Sequence, residues 1–257
     1  PLPFPSLLPQ GGTYVYTHAP PNPDSGLTKS VLCDRLGCRQ HTDQLVCTDG
    51  MRTHAEKTKQ ALLYHAACLF LERGFHGTSI DSITKAAKVS KGAFYWHFTS
   101  KIELLEAFIK KFEEDFLDRL IAKVKRTEGN ALQKLRKVMR YNAAFAYYNP
   151  ELCISFTTLS AEFSGTNASV EEKIKKIYAK YRSFLSNLIK IGQREGIFRV
   201  QINSDLVARI IIAFHDGILI EWWRNKKEID GEAYVKLYED VLLKGILAST
   251  EDKRDEF

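Results

Sequence analysis

The sequence predicts an all-α protein, and three observations carry that prediction. Apolar residues follow helical spacing from Thr53 to the end of the chain. Capping and stop residues punctuate that spacing at helix-length intervals. No run of alternating β-branched residues is long enough to build a sheet. About nine helices fit the pattern.

The helices occupy only part of the 257 residues, of which 44% are apolar and 26% charged, a globular balance. Seven of the eight prolines fall within the first 23 residues, with Cys33, Cys38 and Cys47 close behind. That segment shows neither strand nor helix periodicity, so residues 1–50 read as a leader or non-native extension without stable structure of its own. Cys33, Cys38, His41 and Cys47 form a conceivable Cys₃His set but lack a paired C-x-x-C, so no metal site is expected. Residues 1–50 hold 3 basic and 4 acidic residues, a net of −1. Subtracting these from 37 and 31 leaves 34 and 27, a net of +7, in residues 51–257. Eight basic and four acidic residues lie in 51–105 alone, which suggests a polyanionic partner.

Each helix has its own justification. In the first, Leu62, Ala66, Leu69 and Phe70 share one face, and Gly74 supplies the stop. Thr78-Ser-Ile-Asp81 reads as a capping box opening a short helix that buries Ile80, Ile83 and Ala87. Ser90 caps the next, with Ala93, Phe94 and Phe98 facing inward. Ser100-Lys-Ile-Glu103 is a second box, opening a long helix lined by Leu105, Phe108, Ile109, Phe112, Phe116 and Leu120. Asn149-Pro150 pairs a cap with proline at the first helical position, and Ser169-Val-Glu-Glu172 is a third box whose helix ends at Gly196. Helices near 204–226 and 231–249 complete the chain. The most apolar run, residues 210–223, is broken by His215, Asp216 and Glu221 and is too short and charged to span a bilayer. With no signal segment, and with Cys68 and Cys153 isolated as packed thiols, a cytoplasmic protein is expected.

Between Thr78 and Phe98 two short helices are joined by about four residues, Ala87-Lys-Val-Ser90, which is helix-turn-helix spacing. The second helix would enter the DNA major groove by its N-terminal residues Ser90, Lys91, Gly92 and Ala93. Gly92 and Ala93 permit close backbone approach, and Lys91 can reach a phosphate or guanine. Tyr95 and His97 suit phosphate or sugar contact, as do Thr78 and Ser79 at the start of the bracing helix. Lys101, beside the exposed amides of the next helix, adds charge.

The stretch from Gly77 to Leu105 resembles the TetR family of bacterial transcriptional regulators. The resemblance rests on Thr78, Ile80, Ile83, Ala87, Val89, Ser90, Gly92, Tyr95, His97, Phe98, Lys101, Leu104 and Leu105 at fixed spacing. Two positions depart from the pattern: Thr84 stands where the family prefers Ala, and Lys88 where its turn carries Gly. A left-handed Lys88 would cost about 1–2 kcal/mol, too little to change the fold.

The resemblance implies a helix-turn-helix head over 51–105 and a ligand-binding and dimerisation domain over 106–257. It implies a homodimer on a palindromic operator, with half-sites a helical turn apart or a multiple of it. The last two helices would form the interface through Ile210, Phe214, Gly217, Trp222, Leu237, Val241 and Leu242. The aromatic middle helices would hold an apolar or aromatic small molecule among Tyr141, Phe145, Tyr148, Phe156, Ser160, Glu162, Tyr181 and His215. Ligand binding would shift the helix over 100–124, alter the spacing of the recognition helices and release DNA, which makes the protein a repressor with no cofactor. Two other readings stay open: a nucleoid-associated regulator acting on a protein partner, and an all-α enzyme. No phosphate loop or H-E-x-x-H motif supports the last.

Overall fold

The computed structural model describes residues 54–248. The segment before residue 54, with Cys33, Cys38, His41 and Cys47, lies outside the described residues. Nine helices account for the described chain if the span 101–125 is counted once: α1 (His54–Arg73), α2 (Ile80–Ala87), α3 (Lys91–His97), α4 (101–125), α5 (Ala131–Tyr148), α6 (Pro150–Glu162), α7 (Ala168–Arg194), α8 (Ser204–Arg224) and α9 (Gly231–Ile246). An isolated bridge of Phe198 with Leu247 is the sole β pairing among the described residues, and it pins the α7–α8 turn to the end of α9.

Local chemistry sets most boundaries. Gly74 stops α1 in the left-handed region at φ +69°. Ser90 and Ser100 cap α3 and α4 by accepting the Ala93 and Glu103 amides at 3.1 Å. Two caps fall elsewhere than expected. The box of α2 is formed by Ser79 and Ser82, one residue on, because the Thr78 hydroxyl instead donates to the Leu69 and Gly74 carbonyls. The cap of α7 is Asn167, ahead of Ser169, since Asn167 Oδ1 accepts the Val170 amide. Lys88 does adopt the left-handed conformation, φ 56°, ψ 41°, and lets the Val89 amide return to the Thr84 carbonyl. Buried Thr84 uses its hydroxyl on the Asp81 carbonyl.

Helices as short as α2 and α3 cannot stand alone. The head closes over Leu62, Ala66, Phe70, Ile83, Phe94, Phe98 and Leu105, all buried, and α1 lies along α6 with Ser155 Oγ donating to the Ala67 carbonyl at 2.7 Å. Helix α4 runs from the head into the larger bundle and changes winding on the way: Lys101–Phe112 and Arg119–Lys125 are α-helical, and Glu113–Asp118 is a π segment. Such a segment leaves carbonyls outside the regular ladder. The Asp115 carbonyl in this segment accepts the Tyr141 hydroxyl at 3.3 Å, and the Asp115 carboxylate sits between Lys111 and Arg119, each at 2.7 Å. In the bundle α7 packs along α8. At Gly192 the Phe198 ring occupies the space of a side chain: a Cβ there would lie 2.1 Å from it.

Candidate nucleic-acid interface and buried interior

Helix α3 divides its residues sharply. Phe94 and Phe98 are buried, tilted against one another at 5.8 Å, so the opposite face is forced outward. That face carries Lys91, Gly92, Tyr95 and Trp96; a Cβ on Gly92 would meet Ser90 Oγ at 3.7 Å, and Trp96 is 73% exposed. Lys91 reaches back to Asp81 on α2 at 2.7 Å, and that carboxylate raises its pKa. Ala93 is half-buried. His97, half-buried and edge-on to Trp96 at 4.6 Å, is pushed below its ordinary pKa by burial and by Lys59 of α1. Trp96 is absent from the residues expected at the groove, although its place between Tyr95 and His97 put it on view.

Two residues expected at DNA have other work. Thr78 is 1% exposed with its hydroxyl held by backbone, so its side chain faces the head's interior. Ser79, one residue on, is exposed. The Lys101 ammonium turns inward, donating to the Phe75 and Thr78 carbonyls at 2.7 and 2.6 Å and lying 4.2 Å from the Phe75 ring centroid. Partial burial lowers its pKa, and two of its three donors are committed. Glu162, expected in the ligand pocket, accepts the amides of Phe75 at 3.1 Å and of His76 at 3.4 Å. The turn between α1 and α2 is thus held by a cation from α4 and a carboxylate from α6.

Behind the head lies an aromatic interior. Phe112 stacks on Phe156 at 4.1 Å, and Phe116 contacts Phe145 at 5.1 Å, Tyr181 at 6.1 Å and Tyr141 at 6.2 Å. Tyr141, Phe145, Phe156 and Tyr181 are therefore brought together, and Phe116 of α4 is the ring that joins three of them. Its i+4 spacing from Phe112 was the available signal. Ser160 donates to the Thr157 carbonyl on α6, and Tyr148 lies edge-on to Tyr147 at 5.2 Å.

A polar knot sits against these rings. Asn142 Nδ2 donates to the Tyr181 hydroxyl at 2.7 Å and to His215 Nδ1 at 2.7 Å, while Asn142 Oδ1 is buried without a partner. Burial drives His215 to a pKa of about 3, so its ring is neutral. The Tyr238 ring lies edge-on to His215 with centroids 5.6 Å apart, and its hydroxyl is also buried without a partner. On the next residue of α8, Asp216 accepts the Tyr178 hydroxyl at 3.1 Å, and burial raises its pKa to about 6. Neither Asp216 nor Tyr238 was expected here. Their contacts cross from α8 to α7 and to α9, which no local pattern encodes.

The last two helices expose Ile210, Phe214, Leu237 and Val241, with Phe214 stacked on Tyr238 at 5.4 Å. Gly217 faces open space, and Leu206 extends the apolar face. Leu242 does not belong to that face: at 7% exposure it is part of the chain's own core. Trp222 is half-buried with its indole nitrogen packed over Gly231.

Known proteins share this arrangement. Residues 60–108 match the bacterial regulatory proteins of the tetR family, and residues 128–246 match the tetracyclin repressor-like C-terminal domain. The MbdR regulator from Azoarcus sp. CIB has 31% identity and a TM-score of 0.68, over 74% of this chain and all of that one. The transcriptional repressor DhaR from Mycobacterium sp. (strain GP1) is 28% identical over 77% of this chain and 96% of its own. The FadR regulator of Bacillus subtilis, solved in complex with stearoyl-CoA, shares the fold at a TM-score of 0.63 and 22% identity, over 73% of this chain and 98% of that one. Among the described residues no helix is long and apolar enough to cross a membrane. This chain belongs to the TetR family of bacterial regulatory proteins, as a ligand-responsive, DNA-binding transcriptional repressor and not an enzyme.

Proposed function

We propose that the chain works in the cytoplasm as a homodimer, placing one α3 helix in each of two successive major grooves of a palindromic operator. The observation that carries this reading is the pairing of two surfaces on one chain. One is the outward face of α3 with Lys91, Gly92, Tyr95 and Trp96; the other is the apolar face of α8 and α9 with Ile210, Phe214, Leu237 and Val241. An exposed apolar face of that kind is the mark of an interface, and a two-fold axis through it repeats α3 at a fixed separation. In this reading residues 51–105 are the head and 106–257 the ligand-binding and dimerisation domain.

The effector enters the interior lined by Phe116, Tyr141, Phe145, Phe156 and Tyr181, where Asn142 and His215 orient it. It is an apolar or aromatic molecule with at least one hydrogen-bonding group. Its differential affinity for the two separations of the heads is what releases DNA.

The test is the double variant Ile210→Asp, Val241→Asp, followed by sedimentation and by operator binding on the DNA upstream of the gene. The expected outcome is a folded monomer whose operator affinity falls about 100-fold, the loss of one tethered half-site. A variant that stays dimeric and binds as before would remove the interface from α8 and α9.

A further inference from the structure

The helix-turn-helix carries a negative charge on a surface that meets a polyanion. From Ser79 to Ser100 the chain has three cations, Lys85, Lys88 and Lys91, all exposed, and one carboxylate, that of Asp81. Asp81 stands in the first turn of α2, and Lys91 is the first residue of α3. Their side chains meet across the two helices at 2.7 Å, and both are more than half exposed. Lys91 and Tyr95 are one turn apart on α3. The ion pair therefore sits at the edge of the face that also presents Tyr95 and Trp96 to solvent.

An aspartate in the first turn of a helix favours that helix without any partner. The contact with Lys91 adds something the helix start does not require: it occupies the leading cation of α3. In water an exposed pair of this kind contributes little to stability. Against DNA the balance changes, because each phosphate met by a free lysine adds affinity that is blind to sequence. A lysine held by Asp81 is withheld from that use. It leaves the carboxylate only for acceptors that replace it well, such as O6 and N7 on the edge of a guanine in the major groove.

We infer that Asp81 is a specificity-determining residue, which keeps Lys91 for a base edge and lowers affinity for DNA of the wrong sequence. Two effects act together: its charge opposes phosphate, and its pairing holds the Lys91 ammonium away from phosphate. This deepens the proposed function and rests on α3 entering the major groove.

The experiment uses the full chain and two duplexes. One is selected by the wild-type protein from a random-sequence library, and the other is a scramble of the same composition. Binding to each is followed by fluorescence anisotropy over a salt series. For Asp81→Asn, affinity for the scrambled duplex is expected to rise about 10-fold, with a salt slope steeper by about one phosphate contact. The selected duplex should change less, so the ratio of the two affinities falls. Asp81→Glu keeps the charge and should leave that ratio near wild type. In the Lys91→Ala background the gain from Asp81→Asn should shrink, since no ammonium is left to release. Circular dichroism and sedimentation check that each variant keeps its fold and association state, which an effect on the start of α2 alone would alter. A ratio unchanged by Asp81→Asn would overturn the assignment, as would an equal gain with and without Lys91. Weaker binding of the selected duplex alone would overturn it too, by making Asp81 a direct base contact. If Lys91→Ala leaves the selected duplex bound as before, or the library yields no preferred sequence, the reading of α3 as the groove helix fails, and this inference with it.

Discussion

The head and the interior behind it treat their polar groups in opposite ways. In the head they are matched: Thr78 with two carbonyls, Ser79 with Ser82, Ser90 with Ala93, Glu103 with Thr99, and Lys101 and Glu162 with the α1–α2 turn. In the interior Asn142 Oδ1 and the Tyr238 hydroxyl are buried unmatched, and Asp216 has Tyr178 but no cation. Short helices presented to a groove must hold one geometry, so their polar groups are consumed in holding it. A site that receives a ligand leaves polar groups unmade, and the stability lost there returns as affinity when the ligand supplies the partner.

Substitutions that unmatch the head and match the interior put this contrast to the test. The largest effect belongs to Lys101→Met, which strips the donor from two carbonyls. Thermal unfolding should show a loss of about 2–3 kcal/mol, with reduced amide protection in the α1–α2 turn. An unchanged midpoint would break the comparison on the head's side.

Asp216→Asn should act in the opposite sense. The raised folded pKa means that this carboxyl favours the fold below the unfolded value and loses that contribution as pH rises through about 6. The variant is therefore expected to be more stable than wild type at pH 7.5, on the order of 1–2 kcal/mol, with the gain shrinking toward pH 4. Stability curves at the two pH values check the sign. His215, neutral in the fold at a pKa of about 3, opposes this trend: the unfolded chain takes its proton first as pH falls below about 6.5.

Lys88→Gly relieves the left-handed turn and should raise stability by about 1 kcal/mol, visible as a shift in unfolding midpoint. The smallest stability effect is that of Lys91→Ala. Its exposed pair with Asp81 is screened by water and contributes little, yet operator affinity and its salt slope should both fall. A Lys91 variant that binds DNA like wild type would move the groove face away from α3.

Much of the head was legible before any coordinates, because its signals are local. A serine before an apolar run, a glycine after one and the four-residue link from Ala87 to Ser90 each act within a turn of themselves. The one-residue error at Thr78 shows the limit: two adjacent hydroxyls can both cap, and the fold chose between them by giving Thr78 the Leu69 and Gly74 carbonyls. Glu162 and Lys101 were misplaced for a stronger reason. Their partners lie 87 and 26 residues away along the chain, and a charge reads from sequence as solvated until something buried claims it.

The sequence by itself determined the helical class, the order of the helices and the helix-turn-helix spacing, since each depends on spacing of a few residues. Tertiary structure alone decided that Phe116 joins the rings, that Asp216 lacks a cation, that Leu242 turns inward while Val241 turns out, and that Lys123 lies over the Tyr141 ring. Those are facts about which helices cross. Crossing is set by the packing of whole faces, which no single stretch of chain contains.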